Sequence, residues 1–478
     1  MDICTQVGIK KHQYYFNMKI NPHTGEAYKL FHEGVLAFAR AEQQGFRVDL
    51  DYIENKKKHL TRRMDRLEQQ FKDTNLYKHW EHSQRGKVNI YSNAQLAHYL
   101  YEVKKVESVK ETMTGQGSTD DESLKQMGLP ELDILLELRK LRKVRDTYLD
   151  AFAREQVNGY IHPFFNLHLV RTFRSSSDSP NFQNIPKRDE ESMNIVRRAL
   201  FPRPGHLLME MDFSGLEVRI AACYHKDPAM LHYIKEPKSD MHGDMTKQIF
   251  MLKTYDKKVH DVLRQAVKNG FVFPEFYGDY YVHCAPNMAC GWCKLPQGKW
   301  TEEDGIIVDG KTIGKHMIEH GITSLKSFEK HIQKIEEDFW GVRFADYAEW
   351  KKRWWNTYQK YGYLDLYTGF RCSGTMGRND AINYPVQGAA FHCNLWTFIQ
   401  MDKRMREEKW DTRLIGQIHD SIILDVHPDE LQHVIETARK VTCEELPEAW
   451  KWIIVPLDIE IETTPIDGNW SEKCKIKN

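Results

Sequence analysis

Net charge is missing from this chain: 68 Lys and Arg balance 68 Asp and Glu over 478 residues, and the pI is near 7.3. Global charge therefore argues neither for nor against a nucleic-acid partner. Any such path must be a local basic stripe. Long apolar runs are missing too. None approaches the roughly 18 residues of a membrane span, so no membrane partner is expected. Met1-Asp2-Ile3-Cys4 opens nothing like a secretory signal. Cysteine is scarce, and its nine copies fit a reducing compartment better than a disulfide framework. There is no internal repeat and no low-complexity tract. What is present is a chain with 41% hydrophobic and 28% charged residues, long enough for two or more ordinary domains. A soluble intracellular enzyme is the default expectation.

The most informative stretch is Leu207-Leu208-Met209-Glu210-Met211-Asp212-Phe213-Ser214-Gly215-Leu216-Glu217-Val218-Arg219. An apolar run with strand character ends on Asp212, and Glu217 and Arg219 follow five and seven positions later. Far downstream, Leu414-Ile415-Gly416-Gln417-Ile418-His419-Asp420-Ser421-Ile422-Ile423-Leu424 sets Asp420 between two strand-like runs. Two carboxylates delivered from strand ends suit a pair of hard cations, and Mg²⁺ ions about 3.5–4 Å apart can drive in-line phosphoryl transfer. A capping aspartate and a hairpin turn would explain either segment alone. Between them lies Arg264-Gln265-Ala266-Val267-Lys268-Asn269-Gly270-Phe271-Val272-Phe273-Pro274-Glu275-Phe276-Tyr277-Gly278. Arg264 and Lys268, four apart, share a helix face. Two cations there suit a polyphosphate, and the aromatics that follow suit a flat base. A solvated helix face with core aromatics is the plainer account of that segment by itself.

Taken in order, Asp-x4-Glu-x-Arg, then Arg-x3-Lys…Tyr-Gly, then Gln-x-His-Asp resembles motifs A, B and C of the family A (DNA polymerase I-like) DNA polymerases. Arg174-Ser175-Ser176-Ser177-Asp178-Ser179-Pro180-Asn181-Phe182-Gln183-Asn184-Ile185-Pro186 resembles the signature before motif A. Asn383-Tyr384-Pro385-Val386-Gln387-Gly388-Ala389-Ala390 resembles the one before motif C. Five motifs in the family's order extend the resemblance from about Phe31 to the C-terminus. It implies an α+β right-hand polymerase fold with an antiparallel-sheet palm, a helical thumb and helical fingers. It also implies template-directed extension of a primer 3′-hydroxyl with dNTPs, by two-metal-ion nucleotidyl transfer that releases pyrophosphate.

The resemblance also implies roles. Asp212 and Asp420 would bind two Mg²⁺ ions (Mn²⁺ is a possible substitute), with the Phe213 carbonyl completing a shell. Ser421 stands where a glutamate often follows the motif C aspartate, which puts a third carboxylate in doubt. Lys268 and Arg264 would hold the triphosphate, and His242 would contact the same phosphates. Tyr277 and Gly278 would close the fingers helix beside the templating base. Arg174, Gln387 and His419 would lie at the primer terminus and its minor groove, where acceptors are degenerate and report pair geometry rather than sequence. Gln183, Asn383 and Gln417 join them as DNA contacts, with a buried structural amide the competing account of Asn383 and Gln417. Glu217 would crowd the sugar 2′ position. The phage-type single-subunit RNA polymerases lack this gate, so Glu217 favours DNA synthesis. The alternatives are a polymerase of relaxed template or sugar choice, such as a reverse transcriptase, and a degenerate DNA-binding accessory.

Helix periodicity organises the rest. Ile53, Leu60, Met64, Leu67 and Phe71 form one seam, and Ile134, Leu138, Leu141 and Tyr148 a second. Ser92 and Asn93 are placed to cap a shorter helix, with a polar loop from Lys104 to Asp121. Lys104, Lys105, Lys110 and the run Arg139 to Arg145 are candidates for gripping a duplex backbone. The expected division is a lead-in over 1–26, thumb over 27–159, palm over 160–230 and 363–478, and fingers over 231–362 with an insertion near 284–325. The lead-in is too short for the family's exonuclease domain, so no proofreading on this chain is expected. A separate exonuclease, a helicase or a processivity factor are possible partners. A cytoplasmic or nucleoid-associated location is expected, or the host cytoplasm for a viral enzyme. Cys290-Gly291-Trp292-Cys293 and His316-Met317-Ile318-Glu319-His320 outline a zinc site, but 22 residues separate the pairs. Unlinked thiols and surface histidines are the favoured account.

One spacing is irregular. Arg264 to Lys268 is four and Phe273 to Tyr277 is four, but Lys268 to Phe273 is five. At about 100° per residue Phe273 would point nearly opposite Lys268 on a regular helix. One residue absorbed as a π-bulge restores a common face, with Pro274 removing a hydrogen bond nearby. Phe273 is thus expected at the nucleotide, and Phe271 would take its place only on a regular helix.

Overall fold

Leu50–Asp73 is amphipathic, and it begins where the Asp49 side chain accepts the Tyr52 amide at 2.8 Å. The computed structural model describes residues 22–84, 87–108, 111–112, 115–187 and 189–476. The 1–21 portion of the expected lead-in and Lys110 lie outside the described residues. The helices and strands that position the site are α1 (Pro22–Gln44), α2 (Leu50–Asp73), α3 (Pro130–Arg142), β1 (Leu207–Phe213), α4 (Leu216–His225), α5 (Asp261–Val267) and α6 (Phe273–Tyr277). They continue with α7 (Leu325–Asp338), α8 (Ala345–Tyr361), α9 (Arg378–Glu407), β2 (Arg413–Ile418), β3 (Ser421–Val426), β4 (Ile459–Thr463) and β5 (Cys474–Lys475). Among the described residues no helix is long and apolar enough to cross a membrane.

The two expected seams meet. Ile53, Leu60, Met64 and Phe71 of α2 are buried in one core with Leu138 and Leu141 of α3, and Tyr148 follows in a π-helical continuation, Lys143–Leu149. Leu67 and Ile134 pack only at its edge. Several cations expected to face a duplex are engaged within this unit. Arg139 donates to the Thr119 carbonyl at 2.9 Å and to Asn93 Oδ1 at 2.8 Å. Arg142 stacks over Tyr91, and Arg145 reaches Asp146. Helix α1, expected with the thumb, packs instead against α9 and β2, and Arg40 holds Asp402 of α9 through bonds of 2.8 and 2.6 Å.

Five antiparallel strands run in the order β2-β3-β1-β4-β5. Successive side chains on a strand face opposite sides, and this sheet is covered on both. Met209, Met211 and Phe213 of β1 join Ile422, Leu424 and Val426 of β3 in the core shared with α9 and the 231–362 region. Leu208, Ile415, Ile418 and Ile423 enter the other core, with α2 and α3. The expected insertion is built into the first core through Cys284, Met288, Cys293, Trp300 and Met317, with a short hairpin between Ile307 and Thr312. Helix α7 starts at Leu325, where Ser324 supplies a capping box with Ser327.

The zinc outline does not assemble. His316 Nε2 meets the Phe250 carbonyl at 2.7 Å, and His320 Nδ1 meets the His316 carbonyl at 2.8 Å. No cluster of three or more His, Cys, Asp or Glu suited to a metal occurs among the described residues.

Candidate active site

The sheet brings the two aspartates together. In β1 and β3, Asp212 is the register partner of Ser421, and the Phe213 amide donates to the Asp420 carbonyl at 3.3 Å. Asp420 sits in the two-residue turn joining β2 to β3, where Ile418 pairs with Ser421 and His419 adopts a left-handed φ of 52°. The turn is supported from beneath. Ser421 Oγ donates to the Ile418 carbonyl at 2.9 Å, and the Gln417 amide donates to the His419 carbonyl.

Burial raises the pKa of Asp212, and the neighbouring Glu210 and Asp420 charges add to it against the opposing Lys187. Asp420 is raised by burial as well, opposed by Arg174 and Lys187. Two partly desolvated carboxylates side by side form an anionic pocket that a hard divalent cation would neutralise, and their oxygens are the donors such ions prefer. The donors that Asp212 and Asp420 offer thus suit a hard divalent cation. A cation already attends them, with Lys187 Nζ 3.6 Å from Asp212 Oδ2.

Beyond β1 the chain turns through Gly215 at φ 60°, and α4 starts with Glu217 in its first turn. The Glu217 carboxylate is held between the Arg174 guanidinium and the Tyr277 hydroxyl. Arg174, expected at the primer terminus, thus pairs within the protein in this structure. Tyr277 ends α6, and Asn383 Nδ2 on α9 caps its carbonyl at 3.3 Å. Gly278 follows at φ 95°, where a Cβ would run into Asn379. Asn383 and Gln387, four apart on α9, share a face. With Glu217, Phe273, Tyr277 and Tyr347 they line a cleft.

Opposite Glu217 lies the cationic side. Between α5 and α6, Lys268–Val272 is a π-turn, and the Phe273 amide donates to the Lys268 carbonyl five residues back. The expected bulge is therefore present, and it returns Phe273 to the Lys268 face, with Lys268 Nζ 5.5 Å from the centre of the Phe273 ring. Phe271 is fully buried against Phe339, their ring centres 5.3 Å apart. The His242 ring stands edge-on to Phe273 at 5.7 Å. Burial, then Arg264 and Lys268, lower the His242 pKa to about 4, so its imidazole is neutral at pH 7. Arg264 is bidentate on Asp240, through bonds of 3.1 and 3.3 Å.

Two expected DNA contacts are spent inside the protein. Gln417 is fully buried, and its Oε1 accepts from Ser175 Oγ and from Gln183 Nε2, each at 2.8 Å. This network joins the loop carrying Arg174 to the hairpin carrying Asp420, which makes Gln417 and Gln183 supports of the turn in this structure. His419 stands beside Asp420, its pKa lowered by partial desolvation of the ring and by Arg174 and Lys187. Sequence reasoning missed Asp240 and Lys187. Asp240 carried a signal, since it precedes Met241-His242 and caps their helix by accepting the Gly243 amide at 3.0 Å. Lys187 carried one too, at the end of Gln-Asn-Ile-Pro-Lys.

The model of DNA polymerase family A matches residues 50–294 and 313–472. The unmatched 295–312 falls within the segment expected as an insertion. DNA polymerase I of Chloroflexus aurantiacus is 25% identical over 448 residues, covering 91% of this chain and 42% of that protein. DNA polymerase I of Aquifex aeolicus is 27% identical over 439 residues, covering 91% and 65%. A DNA polymerase of Bacillus phage SP01 is 25% identical over 379 residues, covering 76% and 38%. The chain spans about two-fifths of the length of the Chloroflexus relative. Among solved structures, the POL domain of Pol1 from M. smegmatis, in complex with DNA primer-template and dNTP, superposes with a TM-score of 0.71. It is 21% identical, and the match covers 92% of this chain and 70% of that one.

Proposed function

This chain belongs to DNA polymerase family A, and from that premise we propose that it extends the 3′-hydroxyl of a DNA primer on a template strand with deoxynucleoside triphosphates. One observation carries the reading: Asp212 and Asp420, more than 200 positions apart in sequence, converge at one end of a sheet, and a cleft runs from Glu217 beside them to Phe273, the residue facing Lys268. Asp212 and Asp420, with the Phe213 carbonyl, would hold Mg²⁺ or Mn²⁺. Bound there, the ions would supply Lewis-acid stabilisation of the attacking and leaving oxygens.

The chain's own residues do the rest. Lys268 and Arg264 compensate the triphosphate charge as it shifts toward the leaving pyrophosphate. Arg264 exchanges part of its pairing with Asp240 for phosphate as it does so. His242, neutral and so carrying a single ring N–H, donates to a phosphate oxygen in the tautomer that places the proton on the nitrogen facing the triphosphate. Phe273 offers its ring to the incoming base, and Tyr277 with Gly278 bounds the templating position. Glu217, braced by Arg174 and Tyr277, cannot retreat from the sugar, so a 2′-hydroxyl meets a fixed carboxylate. Gln387 and His419 check the primer-terminal pair by its minor-groove acceptors, which all base pairs share.

A labelled primer-template incubated with Mg²⁺ and either dNTPs or rNTPs tests this. Template-dependent extension with dNTPs, much weaker with rNTPs, is the expected result. Duplex binding with no extension would leave only an accessory role.

A further inference from the structure

The fingers turn that carries Phe273 and Tyr277 is held from behind by a buried lysine. Helix α6 has five residues, too few to stand by its own hydrogen bonds, and a helix end leaves carbonyls without intrahelical partners. Side chains from other helices reach the carbonyls at its C-terminal end. Asn383 of α9 donates to Tyr277 at 3.3 Å, and Asn379 to Gly278 at 3.5 Å. A further donor is Lys351 on α8, whose Nζ reaches the main-chain carbonyl of Glu275 at 3.1 Å. The same carbonyl accepts the Gly278 amide at 3.2 Å. Lys351 thus fastens the point on which the Tyr277-Gly278 turn closes.

Lysine is rarely buried, yet Lys351 is 8% exposed, and its surroundings are built to keep it there. Its Nζ lies 3.6 Å from the centre of the Trp340 ring and 5.0 Å from that of Tyr347, an aromatic seat for a cation. Trp340 stands in the π-helical turn Phe339–Arg343 between α7 and α8. Its indole N–H donates to Glu275 Oε2 at 2.8 Å, and Glu275 is 1% exposed. A closed circuit results, from the Glu275 carbonyl to Lys351, to the Trp340 ring, and from its indole back to the Glu275 carboxyl group. Residue 275 is gripped by main chain and side chain at once. Residues 273 and 277, on the opposite side of the turn, face the cleft.

We propose that Lys351 is a positioning residue for nucleotide binding and sugar choice, its bond to the Glu275 carbonyl fixing the last turn of α6 so that Phe273, Tyr277 and the Glu217 carboxylate keep their places. The inference rests on Phe273, Tyr277 and Glu217 being the nucleotide contacts. Tyr277 carries the effect in two directions. Its ring bounds the cleft, and its hydroxyl holds Glu217 against Arg174. A turn released at residue 275 lets Tyr277 swing, and Glu217 loses a brace. The incoming nucleotide then meets a less ordered site, and a 2′-hydroxyl meets a gate that yields.

The test compares wild type with Lys351→Met, Glu275→Gln and the double variant. Methionine keeps an unbranched side chain of like length but has no N–H to give. Lys351→Met alone can act by leaving the Glu275 carboxyl group without its cation. The double variant has no ionisable group at either position and so isolates the tie to the main chain. Urea unfolding establishes that each variant is folded. The readouts are amide exchange over 273–278, the dNTP KM and kcat in primer extension, and the preference for dNTPs over rNTPs. Lys351→Met and the double variant should both lose protection over 273–278. Their dNTP KM should rise about threefold or more without a matching fall in kcat, and their dNTP preference should fall by a similar factor. Glu275→Gln alone keeps the carbonyl and an acceptor for the Trp340 indole, and should stay near wild type. A folded double variant with the wild-type KM or the wild-type sugar preference would overturn the proposal, since Lys351 would then only balance the charge of Glu275. A double variant that fails to fold would overturn it too, by making Lys351 a residue of the core alone. Absence of extension by wild type would instead refute the proposed function, and amide exchange would still decide whether Lys351 holds the turn.

Discussion

Replacing Phe271 and Phe273 separately by Ala should split stability from nucleotide binding, although the two stand two positions apart in one turn. Phe271 is fully buried and packs edge-on against Phe339. Truncating it removes a large core ring, which costs about 3–5 kcal/mol of folding free energy. Phe273 is half-buried, with one face toward the cleft and Lys268, so its truncation should cost about 1 kcal/mol of stability. Its loss should fall on the incoming base instead. An aromatic stacked on a base contributes about 1–3 kcal/mol, which raises the dNTP KM by about 5- to 150-fold at 1.4 kcal/mol per tenfold. Urea unfolding gives the first quantity, and single-nucleotide incorporation on a fixed primer-template gives the second. The reasoning fails if folded Phe271→Ala shows the larger KM change, or if Phe273→Ala unfolds the protein while leaving KM unmoved. Either result would mean that the π-turn at Lys268–Val272 does not set the working register of the turn.

Three further perturbations probe other parts of the site and the core. Phe273→Tyr should ease incorporation of nucleotides lacking the 3′-hydroxyl, with Phe271→Tyr unchanged, as competition between deoxy and dideoxy substrates would report. Glu217→Ala should raise ribonucleotide use relative to deoxyribonucleotide use, because the carboxylate fixed by Arg174 and Tyr277 is gone; an unchanged ratio would locate the gate elsewhere. His225 and His392 are buried and neutral, each lowered to about 3 by desolvation. The unfolded chain binds their protons first, so the stability they lend is present above about pH 6.5 and lost as pH falls toward about 3. Urea midpoints across that window should decline, and His392→Gln should flatten the decline; an unchanged slope would exclude His392 as a contributor.

The parts of the site legible in sequence were those fixed by local spacing. Strand-like runs ending at Asp212 and Asp420 gave their positions, and the five-residue step from Lys268 to Phe273 gave the π-turn. The seams of α2 and α3 were legible for the same reason, since a helix repeats its apolar face within a few residues. What escaped were pairings between distant segments. Asp240 and Arg264 are 24 positions apart, and Lys187 meets Asp212 across 25 positions of loop, helix and strand. Gln183 and Gln417 have the same side chain whether they face DNA or the interior, so only the fold reveals that their amides are spent on Ser175 and on each other. The packing of α1 against α9 was illegible likewise, because an amphipathic helix states that it has a partner without naming one.

The most direct test of the central claim is primer extension by Asp212→Ala and Asp420→Ala, each measured beside its affinity for the same primer-template at one fixed salt concentration. If both carboxylates serve one metal-dependent centre, either change nearly abolishes extension, because the remaining one cannot hold the ions in register. Affinity for the duplex stays nearly constant, since the backbone contacts that set it lie elsewhere. Near-normal turnover by either variant would contradict the account.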